Sequence, residues 1–99
     1  MDPTILYEDS DLIAVNKPSG LVVHADGRTT EPTLTDWIKK YYPKIEDVGE
    51  SLKIGTGDTI KRWGIVHRID RETSGIILIA KNQKAYKFIK EFEKQKTLN

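Results

Sequence analysis

The segment His67-Arg68-Ile69-Asp70-Arg71-Glu72-Thr73-Ser74-Gly75 concentrates more reactive side chains than any other stretch of the 99-residue chain. If residues 65–70 are extended, alternation puts Ile65, His67 and Ile69 on one face and Val66, Arg68 and Asp70 on the other. Arg68 and Asp70 then stand side by side, with α-carbons about 6.6 Å apart. A guanidinium beside a carboxylate favours the charged form, so Asp70 stays ionised at neutral pH. That suits a nucleophile or a base, and does not suit a general acid. A plainer account has Asp70 accepting backbone donors near Glu72 and Thr73, while Thr73, Ser74 and Gly75 only shape a bend. His67, sharing a face with Ile65 and Ile69, reads as a packed and hydrogen-bonded histidine. Two histidines and no cysteine argue against a zinc site.

The elements that must position this segment follow from pattern. Ile5-Leu6-Tyr7 and Leu12-Ile13-Ala14-Val15 are β-prone runs separated by the turn-rich Glu8-Asp9-Ser10-Asp11, which predicts a hairpin. Asn16-Lys17-Pro18-Ser19-Gly20 then makes a rigid bend, with Gly20 free to take a positive φ. Leu21 to His24 resumes as a short strand or extended segment. Thr33 and Asp36 form a variant capping box for a helix whose Leu34, Trp37, Ile38 and Tyr41 fall at i, i+3, i+4 and i+7, ended by Pro43. Residues 44–63 lack periodicity and read as a long loop with room for a short element. Gly64 to Ile69 is expected as a strand, Asp70 to Gly75 as a turn, and Ile76 to Ala80 as a central strand, apolar on both faces. Asn82 caps a closing helix with an apolar stripe of Ala85, Phe88, Ile89 and Phe92.

Composition places the chain among single globular domains. It is 37% hydrophobic and 31% charged, with no cysteine to staple it, which favours a reducing, cytoplasmic setting and a core held by packing. The longest apolar run, Ile76 to Ala80, is far short of the roughly 20 residues of a membrane span, so no membrane partner is expected. The net charge of +1 conceals an asymmetry. Five basic against ten acidic residues give −5 over residues 1–50, and eleven against five give +6 over residues 51–99. A basic half permits a polyanion-binding face, although helix lysines at 84, 87, 90 and 94 also suit plain solvation. Gly55-Thr56-Gly57 lacks the third glycine of a dinucleotide loop. The order His-Arg-Ile-Asp has an extra residue for a kinase catalytic loop.

Residues 67–75 resemble the H-R-L-D-x-x-T-S-G signature of the RluA/RluD-type RNA pseudouridine synthases, with Ile69 in place of Leu. Residues Tyr7 to His24 are similar to the same family's opening strands and N-K-P-x-G-L-x-x-H element, in the expected order. The resemblance implies an α+β fold with a mixed, largely antiparallel sheet and flanking helices, of which residues 1–99 would be the N-terminal portion, without an S4-like domain. It implies an isomerase that converts specific uridines to pseudouridine in structured RNA, ribosomal or transfer, with no cofactor and no metal. Asp70 would be the catalytic aspartate and Arg68 its partner. Thr73, Ser74, Gly75 and His67 would support the loop. Arg62, Arg71, Lys81 and Lys84, and more weakly Asn16 and Lys17, are the RNA-contact candidates.

After the closing helix, which ends near Thr97, the resemblance implies a K-x-Y element and, later, an R-x-H-Q-I-R type segment; neither follows that helix within these 99 residues, which alone are therefore expected to be inactive or nearly so. An incomplete sheet exposes an edge through which copies could associate. Two other functional classes fit the same residues: a non-catalytic RNA-binding or interaction module on this scaffold, and a small α+β domain with no RNA role.

Overall fold

Along residues 12–17 buried Ile13, Val15 and Lys17 alternate with Leu12, Ala14 and Asn16, the period-2 pattern of a strand covered more heavily on one side. In the computed structural model this run is the middle strand of a three-stranded antiparallel sheet. The structure describes residues 2–23, 32–50, 52–53, 55, 59–67 and 74–97. Strand β1 is Thr4–Glu8 and β2 is Leu12–Lys17, joined as the expected hairpin. Its turn is fixed by Asp9, whose Oδ1 accepts the backbone N–H groups of Asp11 at 2.7 Å and Leu12 at 2.9 Å. An irregularity between Ile5 and Tyr7 shifts the register of β1 by one residue.

Helix α1, Leu34–Tyr41, begins at the predicted capping box: the Asp36 N–H donates to Thr33 Oγ1, and the Thr33 N–H donates to Asp36 Oδ2. Leu34 and Ile38 are buried, whereas Tyr41 at the end of the stripe is exposed. A 3₁₀ turn, Pro43–Ile45, follows. Two short strands, β3 at Leu52–Lys53 and β4 at Thr59–Ile60, pair with each other inside the expected loop. Strand β5, Gly75–Ala80, pairs with β2 along its whole length, and α2, Gln83–Thr97, closes the chain. Asn82 caps α2 as predicted, its Oδ1 accepting the Ala85 N–H at 2.8 Å.

One sheet face carries Ile13, Val15, Ile77 and Ile79, which pack with Leu34 and Ile38 of α1 and with Leu21, Val23, Ile45 and Ile65. The other carries Ala80 and Leu78, which pack with Tyr86, Ile89 and Ala85 of α2 and with Val66. The helices thus lie on opposite faces of the β2–β5 pair.

Three expectations are corrected. Gly64 to Ile69 is not a strand over its described residues; only Ile65 bridges, to Ile79. Trp63 and Gly64 both have positive φ, 53° and 74°, and the Ile65 N–H returns to the Arg62 carbonyl, so a tight turn occupies the place where the strand was to begin. Consequently, among the described residues, β5 ends the sheet and β2 is central. The α2 stripe is also rotated: Tyr86 and Ile89 are buried while Phe88 and Phe92 are exposed. Helix α2 packs over Leu78 and Ala80, which leaves the flank bearing the two phenylalanines uncovered among the described residues. Of the segment Leu21 to His24, Val22 makes a single bridge to Thr33 and His24 lies outside the described residues. No helix among the described residues is long and apolar enough to cross a membrane.

Candidate functional site

The two chemistry-bearing motifs, some fifty residues apart in sequence, meet in the β2–β5 ladder. Lys17 is the register partner of Gly75, and Asn16 that of Ile76. The bend after β2 therefore lies beside the point where the chain enters β5 from residues 68–73. Arg68, Asp70, Arg71 and Thr73 lie outside the described residues. His67 on one side of residues 68–73, and Ser74 and Gly75 on the other, are described, as is the bend after β2.

That bend is anchored by Lys17. Its side chain is fully buried, and its ammonium donates to the carbonyls of Leu21 at 2.7 Å and Pro18 at 3.1 Å. A buried ammonium is tolerated only when hydrogen-bonded, and these acceptors come from the turn that the motif itself makes. The Leu21 N–H returns to the Pro18 carbonyl at 3.3 Å, and Gly20 between them has φ 95°, a conformation that excludes most side chains. The chain then delivers the Val22 and Val23 carbonyls to the first backbone N–H groups of α1, at 2.8 and 3.2 Å. Asn16 is exposed on the opposite face. Lys17 thus acts as an internal fastener, which fits structural support and leaves no surface for a phosphate.

At the other end of the second motif, His67 is held through its ring. His67 Nε2 accepts the Leu78 N–H at 3.3 Å, and His67 Nδ1 lies 3.8 Å from Glu93 Oε1 of α2. Glu93 has no marked signal in the sequence beyond its i+4 spacing from buried Ile89. Ser74 is exposed and Gly75 half-buried.

The remaining basic candidates are spread over the surface. Arg62 is half-buried under Gly49. Lys81 donates to Glu8 Oε2 at 2.7 Å and to the Asp9 carbonyl at 2.8 Å, closing the far end of the hairpin. Glu8 also accepts from the Tyr42 hydroxyl at 2.9 Å. The Lys81 and Tyr42 bonds hold the Glu8 carboxyl below its ordinary range. Lys84 and Lys87 are exposed on α2. Among the described residues no three His, Cys, Asp or Glu side chains converge as metal ligands.

A sequence model described as RNA pseudouridylate synthase matches residues 11–98. An uncharacterized RNA pseudouridine synthase of Helicobacter pylori strain J99 is 42% identical over 94 residues, covering 95% of this chain and 26% of that protein. A counterpart from Aquifex aeolicus is 37% identical over 94 residues, covering 94% and 27%. Ribosomal large subunit pseudouridine synthase D of Yersinia pestis is 40% identical over 77 residues, covering 78% and 20%. The chain therefore spans about a quarter of the length of the relatives it matches.

Proposed function

The chain belongs to the RNA pseudouridylate synthase family, and we propose that it carries the catalytic-aspartate loop of an enzyme that isomerises uridine to pseudouridine in RNA. Asp70 acts on the ribosyl unit of the target, as nucleophile or as base. The bond from uracil N1 to the sugar breaks, the ring turns, and a new bond forms from carbon 5, which gives up its proton as N1 gains one. Arg68 pairs with Asp70 and helps fill the stack that the extruded base leaves. Thr73, Ser74, Gly75 and His67 shape the loop.

The observation that carries the proposal is the register Lys17↔Gly75, which sets the buried, hydrogen-bonded Lys17 of the first motif beside the last residue of the second. Ribosomal RNA is the substrate class we assign, on the strength of relatives named for the large ribosomal subunit. Lys84 and Lys87, exposed on α2, with Arg62 and Arg71, supply phosphate contacts that add affinity without reading sequence. Turnover is assigned to the complete protein and not to these 99 residues, since the relatives are about four times as long.

The test is release of tritium from carbon-5-labelled uridine in ribosomal RNA. In the complete protein Asp70→Asn should abolish release while leaving salt-dependent RNA binding in place. Retained release would remove Asp70 from the mechanism, and release by the 99 residues alone would overturn the assignment to the complete protein. Binding without release by the complete wild-type protein would favour a non-catalytic RNA-binding module.

A further inference from the structure

Tyr41 belongs to the apolar stripe of α1 in sequence but not to the core. Leu34 and Ile38 of that stripe are buried and Trp37 is half-buried, whereas Tyr41 is 53% exposed. Its ring is nonetheless braced. The Trp37 ring, one helical turn earlier, lies 5.6 Å away at a 51° tilt, and Lys40 Nζ stands 5.3 Å from the Tyr41 centroid. Trp37 also lies 5.8 Å from the Tyr42 ring. The three rings make one aromatic surface with Tyr41 as its crest.

An open hollow flanks the crest on each side. Trp37, Leu21, Pro32 and Lys40 border one of about 230 Å³, and Tyr42, Pro43, Ile45 and Lys44 border another of about 290 Å³. Tyr41 is the residue that lines both. Each is smaller than the roughly 300–1,000 Å³ of a small-molecule pocket, which suits a flat group laid on from outside better than an enclosed ligand.

Charge selects the kind of flat group. Residues 1–50 carry a net −5, yet most carboxylates near the crest are engaged. Asp36 Oδ2 accepts the Thr33 N–H at the start of α1, where the helix dipole favours it. Glu8 is bonded to Lys81 and Tyr42, and Lys61 spans Glu46 and Asp47 at 2.9 and 3.1 Å. Asp2 is the one carboxylate lining a hollow without a partner among the described residues. Lys40 and Lys44, one on each hollow, form no ion pair among the described residues. Aromatic faces beside cations hold unpaired bases by stacking and their phosphates by charge.

We propose that Tyr41 is the crest of a stacking surface for unpaired RNA, with bases against its ring in the two hollows and Lys40 and Lys44 meeting the phosphates. The inference rests on the reading that this chain acts on RNA, and adds a contact surface away from the second motif. The Tyr42 hydroxyl and Lys81 tie the crest to Glu8, near the Leu12↔Ala80 end of the β2–β5 ladder. Lys17↔Gly75 is the opposite end, about 17 Å along the strand. The crest therefore takes nucleotides that flank the target and not the target itself.

The test is fluorescence anisotropy of a labelled single-stranded oligouridylate on the complete protein, with an RNA duplex of equal length for comparison. Wild type should prefer the single strand. Tyr41→Leu, which keeps an apolar side chain of good helix propensity, should bind it roughly tenfold more weakly, the scale of one lost base stack. Tyr41→Phe keeps the ring and should stay within about twofold of wild type. Lys40→Gln and Lys44→Gln should each reduce the salt slope by about 0.7, one phosphate on a single strand. Lys39→Gln, exposed on the same helix but outside both hollows, should leave the slope unchanged. Equal affinity for duplex and single strand, wild-type binding by Tyr41→Leu, a phenylalanine variant as weak as the leucine variant, or a slope change at Lys39 equal to that at Lys40 would each overturn the proposal. Should Tyr41→Leu not fold, the phenylalanine variant and the lysine slopes still decide. Asp70→Asn is the separate arm, read by tritium release: release surviving there refutes the catalytic assignment, whereas its loss together with an indifferent Tyr41 refutes only the stacking surface.

Discussion

Gly64→Ala is the substitution whose cost can be worked most completely from the coordinates. Gly64 has φ 74°, which costs an L residue about 1–2 kcal/mol. An added Cβ would fall well inside contact distance of the Ala80 carbonyl oxygen and 3.2 Å from Ile79 Cγ2. The first of these is main chain, so it cannot swing aside. Moving Gly64 away would stretch two hydrogen bonds at once, from its N–H to the Val48 carbonyl at 2.9 Å and to its carbonyl from the Ala80 N–H at 2.7 Å. Overpacking of this kind costs about 1–3 kcal/mol, and stiffening the unfolded chain returns about 0.4–1 kcal/mol. The net loss is therefore roughly 1–4.5 kcal/mol. For a chain of this size each kcal/mol moves the melting temperature by about 4–8 °C, so thermal unfolding should shift down by roughly 4–35 °C. Gly55→Ala is the control. An added Cβ there meets nothing within 4 Å, and the change should stay within about 0.5 kcal/mol. A Gly64→Ala variant melting within about 2 °C of wild type would show that the close approach of Gly64 to β5 is not a constraint, and with it the account of how residues 64–67 are docked would fall.

Three further outcomes follow from particular contacts. Thr33→Ala removes one half of the α1 capping box and should cost about 1 kcal/mol in urea unfolding; no change would mean that Asp36 alone satisfies the helix start. Tyr86→Phe should leave stability unchanged or raise it by about 1 kcal/mol, because the Tyr86 hydroxyl is buried without a partner among the described residues; a loss of that size would reveal a bond to the hydroxyl. Glu8 is held below its ordinary value of 4.5 by its hydrogen bonds with Lys81 and then Tyr42. Its contribution is thus present above that value and fades as pH falls through the lower folded value. Glu8→Gln should flatten this part of the acid limb, narrowing the gap to wild type as pH drops below about 4.5, and an acid limb parallel to wild type would refute the assignment.

Local signals were legible wherever a few neighbouring residues settle the backbone. The Asp9 turn, the Gly20 bend, the Thr33 and Asp36 capping box and the Asn82 cap are all satisfied within about four residues of themselves, so their side chains alone decide them. The strand expected from Gly64 to Ile69 failed for the opposite reason. Its apolar residues look β-prone, but over the described residues 64–67 a turn at Trp63 and Gly64 and a side-chain acceptor at His67 stand where regular strand pairing was expected. The same holds for α2: its sequence permits a stripe through Phe88 and Phe92, and only the placement of Leu78 and Ala80 selects Tyr86 and Ile89 for burial.

For the candidate site the division is similar. The types and order of residues, His67 to Gly75 after Asn16 to Gly20, mark the family and nominate Asp70 and Arg68 without any coordinates. Which lysines are exposed and which are engaged inside the fold was not legible. Lys17 and Lys81 look on paper like any other cation, yet one is buried on the Pro18 and Leu21 carbonyls and the other is drawn to Glu8. Burial and partnership depend on which distant segments arrive at a residue. Sequence determined the chemistry available and the local turns that present it; the tertiary structure decided that the two motifs share one ladder, at Lys17 and Gly75. Strand register over some sixty residues is a global packing choice that no local propensity encodes.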